Sequence, residues 1–432
     1  MATALGGLLF GFDISVISGT IPFLQDYFNL TEAAKGWVVS SALAGCIIGA
    51  LTSGRLGDIL GRRLVLKICA VLFIISAIGS GLSTSIPSFI IYRLIGGFAV
   101  GGASVLAPVY IAEVSPAPLR GRIVSINQLT IVIGISLAYY SNYLLLNIVD
   151  NSWRWMFAVE AIPALVFFIA LFFIPDSPRW LVKNNNEIEA ERILKRISPY
   201  HPIESEMKEI KDSLKEEKRR AGFREILKPG LRRILFIGII LAVFQQWCGI
   251  NVIFFYAPDI FASMDINMDA ALFQTTLIGI VNILFTLIAM WLIDRIGRKI
   301  LMITGSFIMS LGYMLIATTI DSGTSSYLLL AFILMTAGAF AATLGPVVWV
   351  VMSEIFPNRA RGTGMAITTF FLWTACYILT LTFPMLAEGL GKTGTFIIYS
   401  IICIAGGLFV IFMIPETKER TLEELEKILI KK

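Results

Sequence analysis

The sequence predicts an all-α protein that crosses a membrane with twelve helices in two related halves. Its 432 residues are 56% hydrophobic and 15% charged, with a mean hydropathy of +0.80. This composition is too apolar for a soluble protein of that length. Apolar runs of about 20 residues, the length needed to cross a bilayer, recur twelve times. Polar signatures between the runs of the first half return in the second half.

The apolar runs form two sets of six on either side of a polar segment at 183–228. Their centres lie near Gly11, Ala44, Ile74, Gly97, Gly134, Phe167, Ala242, Val281, Ser306, Ala337, Trp373 and Ile404. The predicted units are therefore an N-terminal six-helix bundle (1–182), an intracellular helical domain (183–228), a C-terminal six-helix bundle (229–414) and a cytosolic tail (415–432).

Two polar signatures each occur twice, which indicates an internal duplication. The repeated strings are GRLGDILGRR (54–63) with DRIGRK (294–299), and AEVSPAPLRGR (112–122) with SEIFPNRARG (353–362). Gly297 follows Gly61 by 236 residues, and Glu354 follows Glu113 by 241. Duplicated hydrophobic units with matching loops are typical of transporters whose substrate site lies between two parallel halves. The pattern therefore indicates solute transport.

Lys and Arg residues predict the orientation. Alternate connections are basic, whereas the remaining ones hold only Lys35, Arg154 and Lys392. By the positive-inside rule, both termini and the middle segment are cytosolic, and the chain lies in a plasma or bacterial inner membrane, where we expect a monomer surrounded by lipid. No cleavable secretion signal is visible, because the first apolar run begins without a basic lead-in. The net charge of +5 reflects the loop asymmetry and does not indicate nucleic-acid binding.

The polar segment at 183–228 predicts short amphipathic helices beneath the bundle, because its apolar residues are spaced roughly as on one helical face. These residues are Ile188, Ile193, Leu194 and Ile197. Two interpretations remain open: a latch that engages both halves in one conformation, or a solvated linker that joins them.

Two helices of the second half are predicted to be broken. Pro346 follows Gly345 in one of them, and Gly249 shortly precedes Asn251 in the other. Within a membrane, such breaks are tolerated only where they line a cavity.

One carboxyl and one guanidinium lie within apolar runs: Asp13 in the first and Arg93 in the fourth. A lone charge at that depth costs at least about 2.5 kcal/mol, so we expect the two to face each other. Alternation between solvated and dry surroundings could load and unload a proton, which makes Asp13 the only strong candidate for a proton carrier. The alternative is a structural ion pair. The single histidine, His201, lies in the polar segment, which excludes a histidine relay.

Amide and indole side chains within apolar runs form a second candidate site. They are Gln128, Gln245, Gln246, Asn251 and Asn282, with Trp349 and Trp373. Amides donate and accept in pairs, which suits the vicinal hydroxyls of a sugar, and an indole face can stack on a pyranose. A single buried amide is more often an interhelical hydrogen bond, but three of these fall within QQWCGIN.

The charged loops predict ion pairs that clamp the cytosolic helix ends and part when the protein opens. Their members are Asp58, Arg62, Glu113, Arg120, Asp294, Arg298, Glu354 and Arg361. No phosphate-binding GxxxxGK[ST] loop is present, and the five cysteines lie in apolar runs without metal-ligand spacing. We therefore expect no cofactor, no metal and no enzymatic activity.

At these residues the chain strongly resembles the sugar porter family of the major facilitator superfamily over essentially its whole length. The strings that carry the resemblance are GGLLFGFD, GRLGDILGRR, YRLIGG, PVYIAEVSPAPLRG, PDSPRWL, QQWCGIN, DRIGRK, GPVVWVVMSEIFP and PETK. The resemblance implies two six-helix bundles of the major facilitator fold, an intracellular helical domain and alternating access around a central sugar site.

Within the family, an aspartate at the position of Asp13 beside the arginine matched by Arg93 is typical of proton symporters, whereas many facilitators have a neutral residue there. The resemblance places the sugar contacts at Phe10, Gln128, Gln245, Gln246, Asn251, Asn282, Trp349 and Trp373. Ile135 and Leu372 stand where xylose carriers have glutamines, and Phe255 stands where they have a tyrosine. This more apolar pocket is compatible with hexoses.

The resulting hypothesis is proton/monosaccharide symport by alternating access, with glucose or a related hexose as the leading substrate and xylose second. One alternative is a facilitative uniporter in which Asp13 is structural. A more remote alternative is a membrane sugar sensor, which would be expected to carry a long cytosolic tail.

Overall fold

The computed structural model describes residues 3–115, 120–147, 151–197, 203–217, 226–228, 230–264, 266–357, 360–418 and 424. Within these ranges the chain is helical and contains no strand. The predicted all-α class is therefore confirmed. The helices form an N-terminal group, a C-terminal group and a small set between them.

The N-terminal group follows the first set of apolar runs. Its helices are α1 (Ala4–Phe28), α2 (Glu32–Leu60), α3 (Arg62–Leu82), α4 (Ile86–Val114), α5 (Arg120–Leu145), α6 (Ser152–Ala158) and α7 (Ala161–Ala170). Helix α4 packs against α2 and α3, and α1 packs against α5. Small residues permit the close approach of α2 and α4, since a methyl group added at Gly97 would overlap the backbone of Ala42.

The C-terminal group repeats this arrangement with two of its membrane helices interrupted. Its helices are α11 (Leu231–Trp247), α12 (Ile250–Ala262), α13 (Met268–Ile296), α14 (Arg298–Ser322), α15 (Ser326–Ala342), α16 (Leu344–Ile355) and α17 (Arg361–Met413). The break between α11 and α12 lies at Gly249, whose φ is +87°. The break between α15 and α16 lies at Thr343, just before Gly345 and Pro346. Both predicted interruptions are confirmed.

Ten helical stretches among the described residues are long and apolar enough to cross a membrane. Three of them join consecutive helices across a break, namely α6 with α7, α11 with α12, and α15 with α16. Another is α17, a stretch of 53 residues whose helical backbone is interrupted at Gly391, where φ is +72°. The chain is therefore a multi-pass membrane protein.

The small set between the groups contains α8 (Pro178–Lys183), α9 (Glu187–Ile197) and α10 (Ile203–Glu217). Leu181, Ile193, Leu194 and Met207 form its apolar core. The prediction that Ile188 lies on the buried face is wrong, because its side chain is 79% exposed. It precedes Ile193 by five positions, and residues five apart point to different sides of a helix, whereas those three or four apart share a side.

Asp58 at the end of α2 anchors α8 to the N-terminal group. Its backbone carbonyl accepts a hydrogen bond of 3.1 Å from Trp180 Nε1, and its carboxylate lies 3.0 Å from Lys183 Nζ. Ser177 donates a further hydrogen bond to the Glu113 carboxylate. Asp58 and Glu113 lie at the end of the bundle that carries the arginine-rich connections, and we call it the basic end. We call the end that carries Lys35 the opposite end.

Candidate functional site

The buried centre of the N-terminal group holds the predicted ion pair. Arg93 Nη1 donates to Asp13 Oδ1 at 2.9 Å, and Arg93 Nη2 donates to the backbone carbonyl of Asp13 at 2.9 Å. Both side chains are buried, with 1% and 0% exposed. Because Arg93 holds backbone and side chain together, it fixes the orientation of the carboxylate in α1. The guanidinium carbon of Arg93 lies 5.4 Å from the centre of the Phe157 ring.

A third ionisable group, Glu160, touches this pair. It lies between α6 and α7 with no exposed surface, and its carboxyl is within hydrogen-bonding reach of the Asp13 carboxyl. Neither Glu160 oxygen meets a hydrogen-bond donor among the described residues. Since a carboxylate only accepts, the two carboxyls can bond to each other only when one carries a proton. The centre therefore combines two carboxyls and one guanidinium.

The amides of QQWCGIN form a chain in the C-terminal group, at the break between α11 and α12. Gln246 Nε2 donates to Gln245 Oε1 at 2.8 Å, and Asn251 Nδ2 donates to Gln246 Oε1. Gln245 Nε2 in turn donates to the Gly345 carbonyl at 3.1 Å, at the second helix break. Two interrupted helices thus share one polar cluster, as expected for breaks that line a cavity.

Aromatic residues connect this cluster to the N-terminal group. The Phe10 ring of α1 lies 5.6 Å from the Trp373 ring of α17, measured between centroids. Tyr139 of α5 donates a 2.7 Å hydrogen bond to the Phe254 carbonyl in α12. Phe10 and Trp373 therefore lie at the junction of the two groups, where the resemblance predicts the sugar.

The other predicted contact residues are distributed over three helices. Gln128 is half-buried on α5, Asn282 is 4% exposed on α13, and Trp349 is half-buried on α16. Their helices belong to both groups, and Trp349 packs on the apolar core. Their contact with a sugar stays a prediction.

The two groups meet closely at the opposite end. Lys35 Nζ of α2 lies 2.6 Å from Glu32 and 4.0 Å from Asp259 of α12, which also pairs with Lys392 at 3.7 Å. A methyl group added at Gly36 would overlap the backbone carbonyl of Leu381 in α17. Ion pairs and backbone contact therefore close this end.

At the basic end, the described ion pairs of Arg62 and Arg298 each join side chains of a single group. Arg62 lies 2.7 Å from Asp58 and 3.1 Å from Glu113. In the C-terminal group, Arg298 lies 3.4 Å from Glu354. Arg361 is half-buried at the start of α17. The side chains of Arg120 and Asp294 lie outside the described part of the chain, as does His201.

The chain matches the sequence model of the family described as sugar (and other) transporter over residues 1–429. It belongs to that sugar transporter family. It is 41% identical to the arabinose-proton symporter of Bacillus subtilis, covering 100% of this chain and 94% of that protein. It is 40% identical to the D-xylose-proton symporter of Escherichia coli, covering 99% and 94% respectively.

Solved structures of the family share its fold. The xylose transporter XylE from E. coli in its inward-open conformation superimposes with a TM-score of 0.88 at 39% identity, covering 99% of this chain and 98% of that chain. At this identity the likeness extends beyond fold class to the arrangement of helices in a membrane transporter.

Two features of this sugar transporter were not predicted from its sequence: the buried carboxyl of Glu160 and the closed end around Lys35. Glu160 lies in the sixth apolar run, so the rule that singled out Asp13 also applies to it. The Lys35–Asp259 contact had no comparable signal, because it depends on how two helices from different groups meet.

The described residues contain no group of three or more His, Cys, Asp or Glu side chains placed to hold a metal ion. All five cysteines are buried and free.

Proposed function

We propose that this sugar transporter is a proton/monosaccharide symporter that works by alternating access. The observation that carries the proposal is the contact of Glu160 with the buried Asp13–Arg93 pair. Two ionised carboxylates and one guanidinium would leave one uncompensated negative charge in the membrane interior. One proton removes that charge, so uptake and release of a proton change the electrostatic cost of the site by several kcal/mol.

Proton binding can weaken the interaction of Arg93 with α1. The guanidinium bonds to both the carboxylate and the backbone carbonyl of Asp13. Protonation of Asp13 removes the charge-assisted part of this interaction and leaves Arg93 free to turn toward Glu160. Helix α1 also carries Phe10, which lies against Trp373. The proton site and the proposed sugar site therefore share one helix.

The proposed sugar site lies between the two groups. Its amide chain, Gln245 to Gln246 to Asn251, presents donors and acceptors for neighbouring hydroxyls, and Trp373 offers an indole face for a pyranose ring. Gln128, Asn282 and Trp349 would complete the contacts. The related symporters carry the pentoses arabinose and xylose.

The apolar residues Ile135, Leu372 and Phe255 favour a hexose instead. Their side chains carry no hydrogen-bonding group, and those of Leu372 and Phe255 are 2% and 3% exposed. Glucose therefore leads in our proposal, with xylose and arabinose as the direct competitors.

We propose twelve membrane crossings with both termini and α8–α10 in the cytosol. The interruption at Gly391 divides α17 into two crossings, and α5 supplies one more beyond the ten apolar stretches. The units then correspond to residues 1–182, 183–228, 229–414 and 415–432. The basic end faces the cytosol by the positive-inside rule, and we expect a monomer.

With that orientation, the closed end around Lys35 and Asp259 faces outward. The described ion pairs of Arg62 and of Arg298 each stay within one group, so these pairs do not join the cytosolic ends of the two groups. We propose that in the outward-open state the sets around Glu113 and Glu354 meet and clamp the cytosolic side. Arg120, Asp294 and Arg361 are the further candidates for that clamp.

The test is direct detection of the cotransported proton. Protein reconstituted in weakly buffered liposomes with a pH dye inside should acidify the lumen when glucose, xylose or arabinose is added outside, and mannitol serves as the control. Sugar entry measured in parallel without any lumenal pH change would identify a uniporter. Sugar binding without entry would identify a sensor.

A further inference from the structure

A buried serine hydroxyl lies beside the proton site without an assigned role. Ser76 is on α3, is 1% exposed, and its Oγ has no hydrogen-bond partner among the described residues. Asp13 Oδ2 and both oxygens of Glu160 likewise lack a donor there. Several unpartnered polar atoms thus gather in one place in the membrane interior.

Most hydroxyls in these helices are satisfied by the backbone of their own helix. Ser306 donates to the Met302 carbonyl at 2.7 Å, and Thr336 donates to the Phe332 carbonyl at 2.8 Å. Ser76 makes no such bond. Because an unsatisfied buried hydroxyl costs about 1–3 kcal/mol, its orientation indicates a partner outside the protein chain.

Gly96 of α4 shows how close Ser76 lies to the proton site. A methyl group added at Gly96 would overlap Ser76 Oγ and would lie 3.1 Å from Asp13 Oδ1. Ser76 Oγ and Asp13 Oδ1 therefore both lie next to the α4 backbone at Gly96, where there is no side chain. They make no direct hydrogen bond, and because both lie within 3.1 Å of the same point beside Gly96, one molecule of water can bond to both.

We propose that a buried water molecule bridges Ser76 Oγ and the Asp13 carboxyl and passes the coupling proton to it, with Ser76 as the residue that positions the water. This proposal rests on the proposed symport. A buried water needs at least two polar partners, and the hydroxyl and the carboxyl supply them. An arriving proton binds to the water, which transfers one of its protons to the carboxylate. The water is thereby regenerated, the carboxylate becomes a carboxylic acid, and Ser76 keeps its own proton.

The ionisable groups around this water come from four helical segments. Asp13 belongs to α1, Arg93 to α4, and Glu160 lies between α6 and α7. Cys46 of α2 is fully buried and close enough to interact electrostatically with Asp13 and Arg93. The pH dependence of transport therefore reports on this whole set, and the test compares variants that leave all of it intact.

The experiment compares Ser76→Ala with Ser53→Ala in reconstituted full-length protein. Ser53 is an equally suitable buried serine on α2, 1% exposed and without a hydrogen-bond partner among the described residues. We expect Ser76→Ala to slow proton-driven uptake about fivefold, as the loss of one hydrogen bond implies, and to shift its pH midpoint. Sugar counterflow at saturating proton concentration should be unchanged, and Ser53→Ala should behave as wild type.

Infrared difference spectroscopy gives a signal that a change in side-chain packing alone would not alter. The C=O stretching band of the protonated carboxyl should change frequency in Ser76→Ala because its water partner is lost, and not in Ser53→Ala. Equal pH profiles and equal carboxyl bands in both variants would overturn the proposal. Failure of wild-type protein to couple sugar to protons would instead overturn the proposed function. If Ser76→Ala does not fold, Ser76→Cys, which keeps nearly the same size but carries only a weak donor, serves for the same measurements.

Discussion

Arg93 bonds to Asp13 twice, once at the carboxylate and once at the backbone carbonyl, each at 2.9 Å. The backbone contact would survive protonation of the side chain, whereas the ionic contact would weaken. This difference gives α1 two states that differ by one proton while its attachment to α4 is kept.

Replacement of Asp13 by Asn should separate sugar movement from proton coupling. The amide oxygen can still accept from Arg93, so we expect Asp13→Asn to fold. Sugar counterflow should stay within about fivefold of wild type, because a neutral hydrogen bond replaces a charged one. Accumulation driven by a pH gradient should disappear, because an amide carries no titratable proton. Asp212→Asn, at an exposed carboxylate of α10, is the control. Retained accumulation in Asp13→Asn would rule out Asp13 as the carrier.

The amide chain at the helix break should control sugar affinity. Gln246 is its central member, because it donates to Gln245 and accepts from Asn251. Loss of one or two hydrogen bonds to the sugar in Gln246→Ala should raise KM about tenfold, at roughly 1 kcal/mol each. Counterflow kinetics would measure this, with Asn184→Ala, far away after α8, as control. An unchanged KM would remove the amide chain from the sugar site.

Gly36 should be essential for closure of the outward end. A methyl group there would overlap the Leu381 carbonyl, whereas Gly54 on the same helix has nothing within 4 Å. Gly36→Ala should therefore keep the outward end open. Spin labels on the exposed positions Thr31 and Glu388 should report a longer distance in Gly36→Ala and the wild-type distance in Gly54→Ala. Identical distance distributions would contradict the assigned closed end.

The Asp259 ion pairs should contribute modestly to the same closure. Asp259 lies near both Lys35 and Lys392, so Asp259→Asn leaves two lysines without a shared counter-ion. Partly exposed pairs contribute about 0.2–1 kcal/mol, so the open population should rise by a factor of about 1.4 to 5. The same spin-label pair measures this change. A fall in the open population would show that these charges oppose closure.

Glu416 should stabilise the fold in a pH-dependent way. Partial burial alone would raise the pKa of its carboxyl, but backbone N–H groups that include those of Arg298 and Lys299 outweigh burial and hold the pKa below its ordinary value of 4.5. Its contribution to the free energy of unfolding is therefore fully present above about pH 4.5. That contribution is lost as the pH falls through the lower pKa that the carboxyl has in the folded state.

Glu416→Gln should accordingly unfold at a lower temperature than wild type at pH 7, by an amount that corresponds to about 1 kcal/mol for a lost cap. The two melting temperatures should converge as the pH falls below 4. A difference that stayed constant over this pH range would assign the effect to packing instead of charge.

The sequence predicted those features that follow from the cost of polar groups in a membrane. The Asp13–Arg93 pair follows from that cost, and the helix breaks follow from Gly249 and from Gly345 with Pro346. The same cost applies to Glu160, whose importance can therefore be predicted from the sequence. The exposure of Ile188 can also be predicted, from its spacing of five residues to Ile193.

Other features depend on long-range docking that local sequence does not encode. The contact of Gly36 with Leu381 arises only when α2 meets α17 from the other group. The proximity of Ser76 to Asp13 likewise depends on how three helices approach one another at Gly96. Such relationships require the folded arrangement.

The most direct test of the account is sugar accumulation in liposomes that contain the wild-type protein, with and without an inward proton gradient. Proton symport predicts that glucose, or another monosaccharide of the panel, accumulates above the external concentration under the gradient and that a protonophore abolishes the excess. Equilibration to the external concentration, independent of the gradient, would contradict symport and make the contact of Asp13 with Arg93 a structural ion pair.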